Sequence, residues 1–92
     1  MSETPSRVER IEAALREAFP DARFTLIDES HLHRGHAGAR DGKGHFRLQI
    51  VSTAFAGLLP LARHRRVFAV LKTLMDTDIH ALSVDARTPD QA

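Results

Sequence analysis

The sequence predicts an α+β domain with element order α-β-β-α-β: a three-stranded sheet with two helices packed on one face. Three observations lead there. Two segments repeat their apolar residues at the helical spacing of three and four, near the N-terminus and again after Pro60. Three others alternate apolar and polar residues, as a half-buried strand does. The first two strand-like segments are joined by a glycine-rich loop, so they pair most simply as an antiparallel hairpin.

Residues 1–5 read as a frayed arm, 6–88 as the single domain and 89–92 as a short polar tail. Ser6 followed by Glu9 is a capping box, and Thr4 with Pro5 offers an alternative helix start. Val8, Ile11, Leu15, Ala18 and Phe19 then form an apolar stripe, which Pro20-Asp21 ends. From Ala22 to Ser30, Phe24 and Leu26 face one way, Thr25 and Ile27 the other. The second strand runs from His45 to Ser52, with Phe46, Leu48 and Ile50 as its buried face. The intervening loop of about fifteen residues exceeds what compact hairpins use, and such length serves function or motion. A small polar connector around Phe55 leads to Pro60, which opens a helix reaching about Met75. Leu61, His64, Phe68, Leu71 and Met75 share one of its faces, flanked by Val67 and Leu74. Asp76-Thr77-Asp78 reads as a turn, and Ile79–Ala86 as the third strand, with Leu82, Val84 and Ala86 on one side.

Composition narrows the function classes. Ninety-two residues, 42% hydrophobic and 27% charged, fit one ordinary globular core. A net charge of +1 argues against a strongly basic nucleic-acid module, though charge can be segregated locally. The absence of cysteine excludes disulfides and a thiol nucleophile, and agrees with a cytoplasmic location. No apolar signal segment follows Met1, and the run Leu48–Ala62 is too short and polar to span a bilayer. "GHAG" lies between strands rather than between helices, where a nucleic-acid-clamping G-x-x-G belongs. "GKG" lacks the Ser or Thr and the helix of a phosphate loop. No catalytic triad can be assembled, and Asp28 and Glu29 point to opposite faces of a strand.

The histidines stand out. Four of six, with four of five glycines, crowd into Asp28–Phe46. His31 and His33 project the same way on an extended chain, His36 follows, and His45 opens the next strand. They are either solvated polar residues or half of a metal site, since neutral imidazole binds borderline metals. The spacing matches no four-ligand structural zinc pattern. His80, placed on the parity of Leu82 and Val84, is either a half-buried strand histidine or a rigid ligand beside the loop. His64 falls on the apolar stripe and reads as a core-edge histidine. Arg63, Arg65, Arg66 and Lys72 flank it as a solvated helix face or as a surface for nucleic acid or an acidic partner. No Tyr or Trp accompanies them to stack bases.

Phe55-x-Gly57-x5-Arg63-His64-x6-Leu71 resembles the signature of the BolA-like proteins, as do "DESHLH", "HF" and "IHALSVDARTP", from about Val8 to Pro89. The resemblance implies a class II KH-like α-β-β-α-β fold without the G-x-x-G clamp, and no enzymatic activity. It implies a monothiol glutaredoxin partner, a shared [2Fe–2S] cluster completed by glutathione, and in some members DNA binding in transcription regulation. On that pattern His80 is the invariant cluster histidine. The loop ligand maps onto His33, with His36 close by and His31 third. His64 is the signature histidine and not a cluster ligand. No cofactor is expected in the isolated chain, which would be a monomer or weak dimer. The chemistry is consistent: a chain without thiolates can still donate imidazoles to a cluster whose thiolates come from elsewhere. Histidine ligation of one iron raises the reduction potential, as in Rieske centres.

Overall fold

The computed structural model describes residues 6–29 and 44–92. Helix α1 (Arg7–Ala18) begins on the expected capping box: Ser6 Oγ accepts the Glu9 amide at 3.1 Å, and Glu9 Oε1 accepts the Ser6 amide at 3.2 Å. Strands β1 (Arg23–Asp28) and β2 (Gly44–Val51) pair antiparallel, Phe24 opposite Ile50 and Leu26 opposite Leu48. After a 3-10 turn at Thr53–Phe55 come helices α2 (Pro60–Val70) and α3 (Lys72–Thr77), then strand β3 (Ile79–Arg87). β3 lies parallel to β2, giving the sheet order β1-β2-β3. The alternation fixes which face is covered. Phe46, Leu48 and Ile50 of β2 are buried with Ile11, Leu15 and Phe19 of the α1 segment, and with Val67 and Leu71. Arg47 and Gln49, one residue out of phase, are exposed on the opposite face. This is an α+β fold with a mixed three-stranded sheet and its helices on one side, as the periodicities imply.

Four details differ from the sequence reading. First, the second helix is interrupted at Leu71, whose φ of −96° and ψ of 8° leave the helical region. The ladder continues across the break: Leu71 donates to Val67 at 3.1 Å, and Met75 donates to Leu71 at 2.9 Å. Beyond the break, Leu74 and Met75 pack against the core next to a fully buried Leu71. Second, the buried stripe of α2 is centred on Val67 and Leu71. Leu61 lies about 120° round the helix from Val67, and it stays 61% exposed. Third, Ala18 is exposed while Ala14 packs inward. Fourth, Asp76 and Thr77 finish α3, and Pro89–Gln91 of the polar tail close as a 3-10 turn. The arm at 1–5, with the Thr4-Pro5 alternative, lies outside the described residues.

The connector after β2 is a structured joint. Asp21, just past α1, accepts from Ser52 Oγ at 2.7 Å and from the Thr53 amide and hydroxyl at 2.8 Å each. Those donors, the Thr53 amide first, lower the Asp21 carboxyl from 3.8 to about 2. The joint presses Phe55 against Phe19, ring centroids 5.3 Å apart. Gly57 then turns the chain at φ +76°, a conformation that side-chain-bearing residues disfavour.

Candidate functional site

The candidate site lies where β1 ends and β2 and β3 begin. Gly44 pairs with Ile79, and the Gly44 amide donates to the Asp78 carbonyl at 2.9 Å. The next pair is His45 with Ala81, so β3 carries one extra residue at this point, and that residue is His80. A bulge re-aims a side chain. Period-two counting put His80 on the core face with Leu82 and Val84. Instead the bulge leaves it exposed, while Ile79 before it is buried at 1%.

The re-aimed ring meets another imidazole. His45 and His80 have ring centroids 5.0 Å apart, with planes tilted by 50°. Each is the second residue of its strand, and parallel pairing puts the two heads side by side. The sequence reading counted His45 among the loop-region histidines, solvated or metal-binding, but not as a neighbour of His80. The signal that would have revealed it is positional: strands in parallel register bring residues at equal depth together.

Hydrogen bonds and ion pairs hold this end of the sheet. The Glu29 amide donates to the His45 carbonyl at 2.8 Å, and Arg47 reaches Glu29 at 3.3 Å. Asp78, only 7% exposed, takes Arg10 Nε at 3.3 Å, with Arg10 Nη2 on its other oxygen. Arg7 stands 3.7 Å away, and Thr77 Oγ1 donates to Asp78 at 3.0 Å. Arg10 is the main cause of the lowered Asp78 pKa. Through Asp78, α1 is tied to the residue two places before His80.

The other expected site residues are either outside the described residues or elsewhere on the fold. His31, His33 and His36 lie outside the described residues, within the segment that leaves β1 at Asp28 and returns at Gly44. Among the described residues no group of three or more His, Asp or Glu side chains could hold a metal ion. His64 stacks on Phe68 at 5.1 Å and lines a cleft of about 230 Å³ with Pro60, Val84, Asp85 and Ala86. That is the far end of β3, on the order of 15 Å from His80 at ~3.3 Å per residue. Arg63 is held by protein acceptors: the Leu58 carbonyl at 2.8 Å, the Ala86 carbonyl at 3.1 Å and Gln91 Oε1 at 2.6 Å. It fastens α2 to edge strand β3 and to the C-terminal turn. Arg65 and Arg66 are exposed on α2 and Lys72 on α3, with the Leu71 break between them.

No helix among the described residues is long and apolar enough to cross a membrane. Comparison with known proteins agrees with the fold. The family model "BolA-like protein" matches residues 15–91. A Sinorhizobium protein described as "Uncharacterized protein in cobS 5'region" is 46% identical over 88 residues, covering 94% of this chain and 95% of that one. The Escherichia coli protein "DNA-binding transcriptional regulator BolA" is 38% identical over 80 residues, covering 87% and 73%. Among solved structures, the BolA domain of SufE1 from Arabidopsis thaliana superposes with a TM-score of 0.82 at 33% identity, covering 98% of this chain and all of that one. The bulged histidine, the Phe55–Gly57 joint and the anchored Arg63 are thus features of a chain that belongs to the BolA-like family.

Proposed function

We propose that the chain is a non-enzymatic adaptor of the cytoplasm, acting in iron–sulfur cluster trafficking or in iron and redox regulation. It binds a monothiol glutaredoxin and co-ligates a bridging [2Fe–2S] cluster through His80 and a loop histidine, His33 or His36. The observation that carries this reading is the bulged, exposed His80 at the head of β3. It stands beside the strand ends from which the histidine-rich loop departs, in a chain without cysteine. The donor set fits half of a cluster. Imidazoles are present, and thiolates must come from the partner and glutathione. The cluster, when bound, supplies the redox-active and transferable iron and sulfur. The chain's own residues support the imidazole's position: the Asp78–Arg10 pair and the Gly44–Asp78 hydrogen bond fix the backbone just before the bulge. Family membership supports the reading, and so does the presence of a BolA domain within the protein named SufE1.

The test is co-expression with a monothiol glutaredoxin, followed by visible absorption of the purified complex. His80→Ala should alter the spectrum and shorten the cluster's lifetime. His33→Ala and His36→Ala, compared in the same way, identify the loop ligand. An unchanged spectrum and lifetime for His80→Ala would rule out its role as a ligand.

A second reading, a DNA-binding regulator, is favoured by the name of the Escherichia coli relative and by the exposure of Arg65, Arg66 and Lys72. Binding through phosphates should weaken with salt by a log–log slope of about −0.9 per neutralised phosphate. Charge reversal at Arg65 and Arg66 should abolish it. Arg63 is left intact in that variant because it holds α2 in place. Absence of DNA binding at low salt would remove this reading.

A further inference from the structure

We propose that His45 and His80 form a two-imidazole site for a late first-row divalent cation, one that the chain offers without any partner. The inference goes beyond cluster sharing and does not depend on it, since both ligands belong to described strands of this chain.

The geometry is the first argument. An imidazole nitrogen binds zinc-like ions at about 2.0–2.1 Å. Adding a ring radius of roughly 1.1 Å places each centroid about 3.2 Å from the ion. Two such rings at a tetrahedral angle have centroids roughly 5.2 Å apart, and at a right angle roughly 4.5 Å. The observed separation is 5.0 Å. The 50° tilt also differs from a face-to-face stack, which would leave no room for an ion between the nitrogens.

Rigidity is the second argument. Both histidines sit at strand heads whose backbones are tied to neighbours. Gly44 is bonded to Asp78, the His45 carbonyl to Glu29, and Asp78 to Arg10 of α1. Ligands mounted on strands keep their spacing better than ligands mounted on loops. The bulge is the third argument. It takes His80 from the core face to the exposed position beside His45, which an unbroken ladder would not do.

The donor chemistry selects the ion. Imidazole suits Cu2+, Ni2+ and Zn2+, and the Irving–Williams order makes Cu2+ the tightest of them. Two ligands leave the remaining positions to water, in keeping with the lack of a third His, Asp or Glu ligand among the described residues.

The experiment is a Cu2+ titration of the full chain in a non-coordinating buffer, with electron paramagnetic resonance to count bound nitrogens. The starting variant is His31→Ala/His33→Ala/His36→Ala, which removes competition from the loop. It should bind one Cu2+ per chain with two imidazole nitrogens. Adding His80→Ala, an exposed position where the fold is retained, should weaken binding at least ten-fold and leave one nitrogen. His45→Ala should do the same, with circular dichroism confirming that it folds. If the triple loop variant binds no Cu2+, or if adding His80→Ala leaves the affinity within two-fold and the nitrogen count at two, the site does not exist. Loss of cluster sharing alone, with Cu2+ binding intact, would overturn the adaptor reading and leave this one standing.

Discussion

The two ends of the sheet are built differently. At one end β2 runs into the joint of Asp21, Ser52, Thr53 and Phe55, and β3 into the turn where Arg63 and Gln91 meet. That end is closed by hydrogen bonds and by the Phe19–Phe55 contact, and its polar groups point at one another. At the other end β2 and β3 start with histidines, and a glycine-rich segment connects β1 to β2. Among the described residues, the Asp78 cluster, the Arg47–Glu29 ion pair and a few backbone bonds tie that end to α1 and β1. The contrast separates stability from chemistry within a small domain. The closed end can hold the fold, so the histidine end can present the exposed His80 ring, which adds little to folding.

The largest break in this contrast comes from Phe55→Ala. The ring is fully buried between the joint and Phe19, so its removal should cost about 3–5 kcal/mol. Urea unfolding should show a much lower midpoint. A loss below 1 kcal/mol would mean that the joint is not what holds that end.

Phe55 also marks what the sequence made legible. It was recognisable as the single anchor of a polar connector, just as Ser6 and Glu9 announced α1 and the alternation announced β1 and β2. Those signals are local: a cap, a period, an apolar residue among small polar ones. What escaped depends on partners far along the chain. The bulge at His80 exists only because β3 pairs with Gly44 and His45, some 35 residues earlier, so counting by twos put the ring on the wrong face. Arg63 read as one of four cations on a helix face, either solvated or partner-binding, since its acceptors, Ala86 and Gln91, lie on β3 and the C-terminal turn. The break at Leu71 has neither proline nor glycine to signal it, and it follows from packing on both sides.

Asp78→Ala should have the next largest effect. It removes the acceptor of Arg10 and leaves cations beside a buried backbone. Breaking a fully buried pair costs more, but these arginine side chains are about one-third exposed, so about 2 kcal/mol is expected. The more telling readout is the His45–His80 proton contact in nuclear magnetic resonance. It should weaken in Asp78→Ala and be unaffected by stability changes of similar size at the closed end. Equal loss in both would show that the ion pair supports the fold generally rather than the histidine end.

Acid tests the closed end with a smaller effect. Asp21 is held at about 2 against an ordinary value of 3.8, so the unfolded chain binds this proton more readily than the folded one. The stabilisation is therefore complete above about pH 4 and disappears as pH falls through about 2. Asp21→Asn should be less stable than the parent at pH 6, and the gap should narrow steadily towards pH 2. A gap independent of pH would show that the carboxylate charge is not what Ser52 and Thr53 bind.

The smallest expected change in stability belongs to His80→Ala, and it sharpens the contrast most. The ring is exposed, it occupies the extra position of a bulge, and its backbone is anchored through Asp78 and Gly44 rather than through its side chain. Surface substitutions of this kind change stability by no more than about 0.5 kcal/mol. Deleting a ring that packs on the core should instead cost several times that, as for Phe55. Denaturant unfolding of His80→Ala should therefore overlay the parent curve, while its Cu2+ binding and the lifetime of any shared cluster fall. A substantial loss of stability would place His80 among the residues that build the fold, and the division between the two ends of the sheet would fail at its most important position.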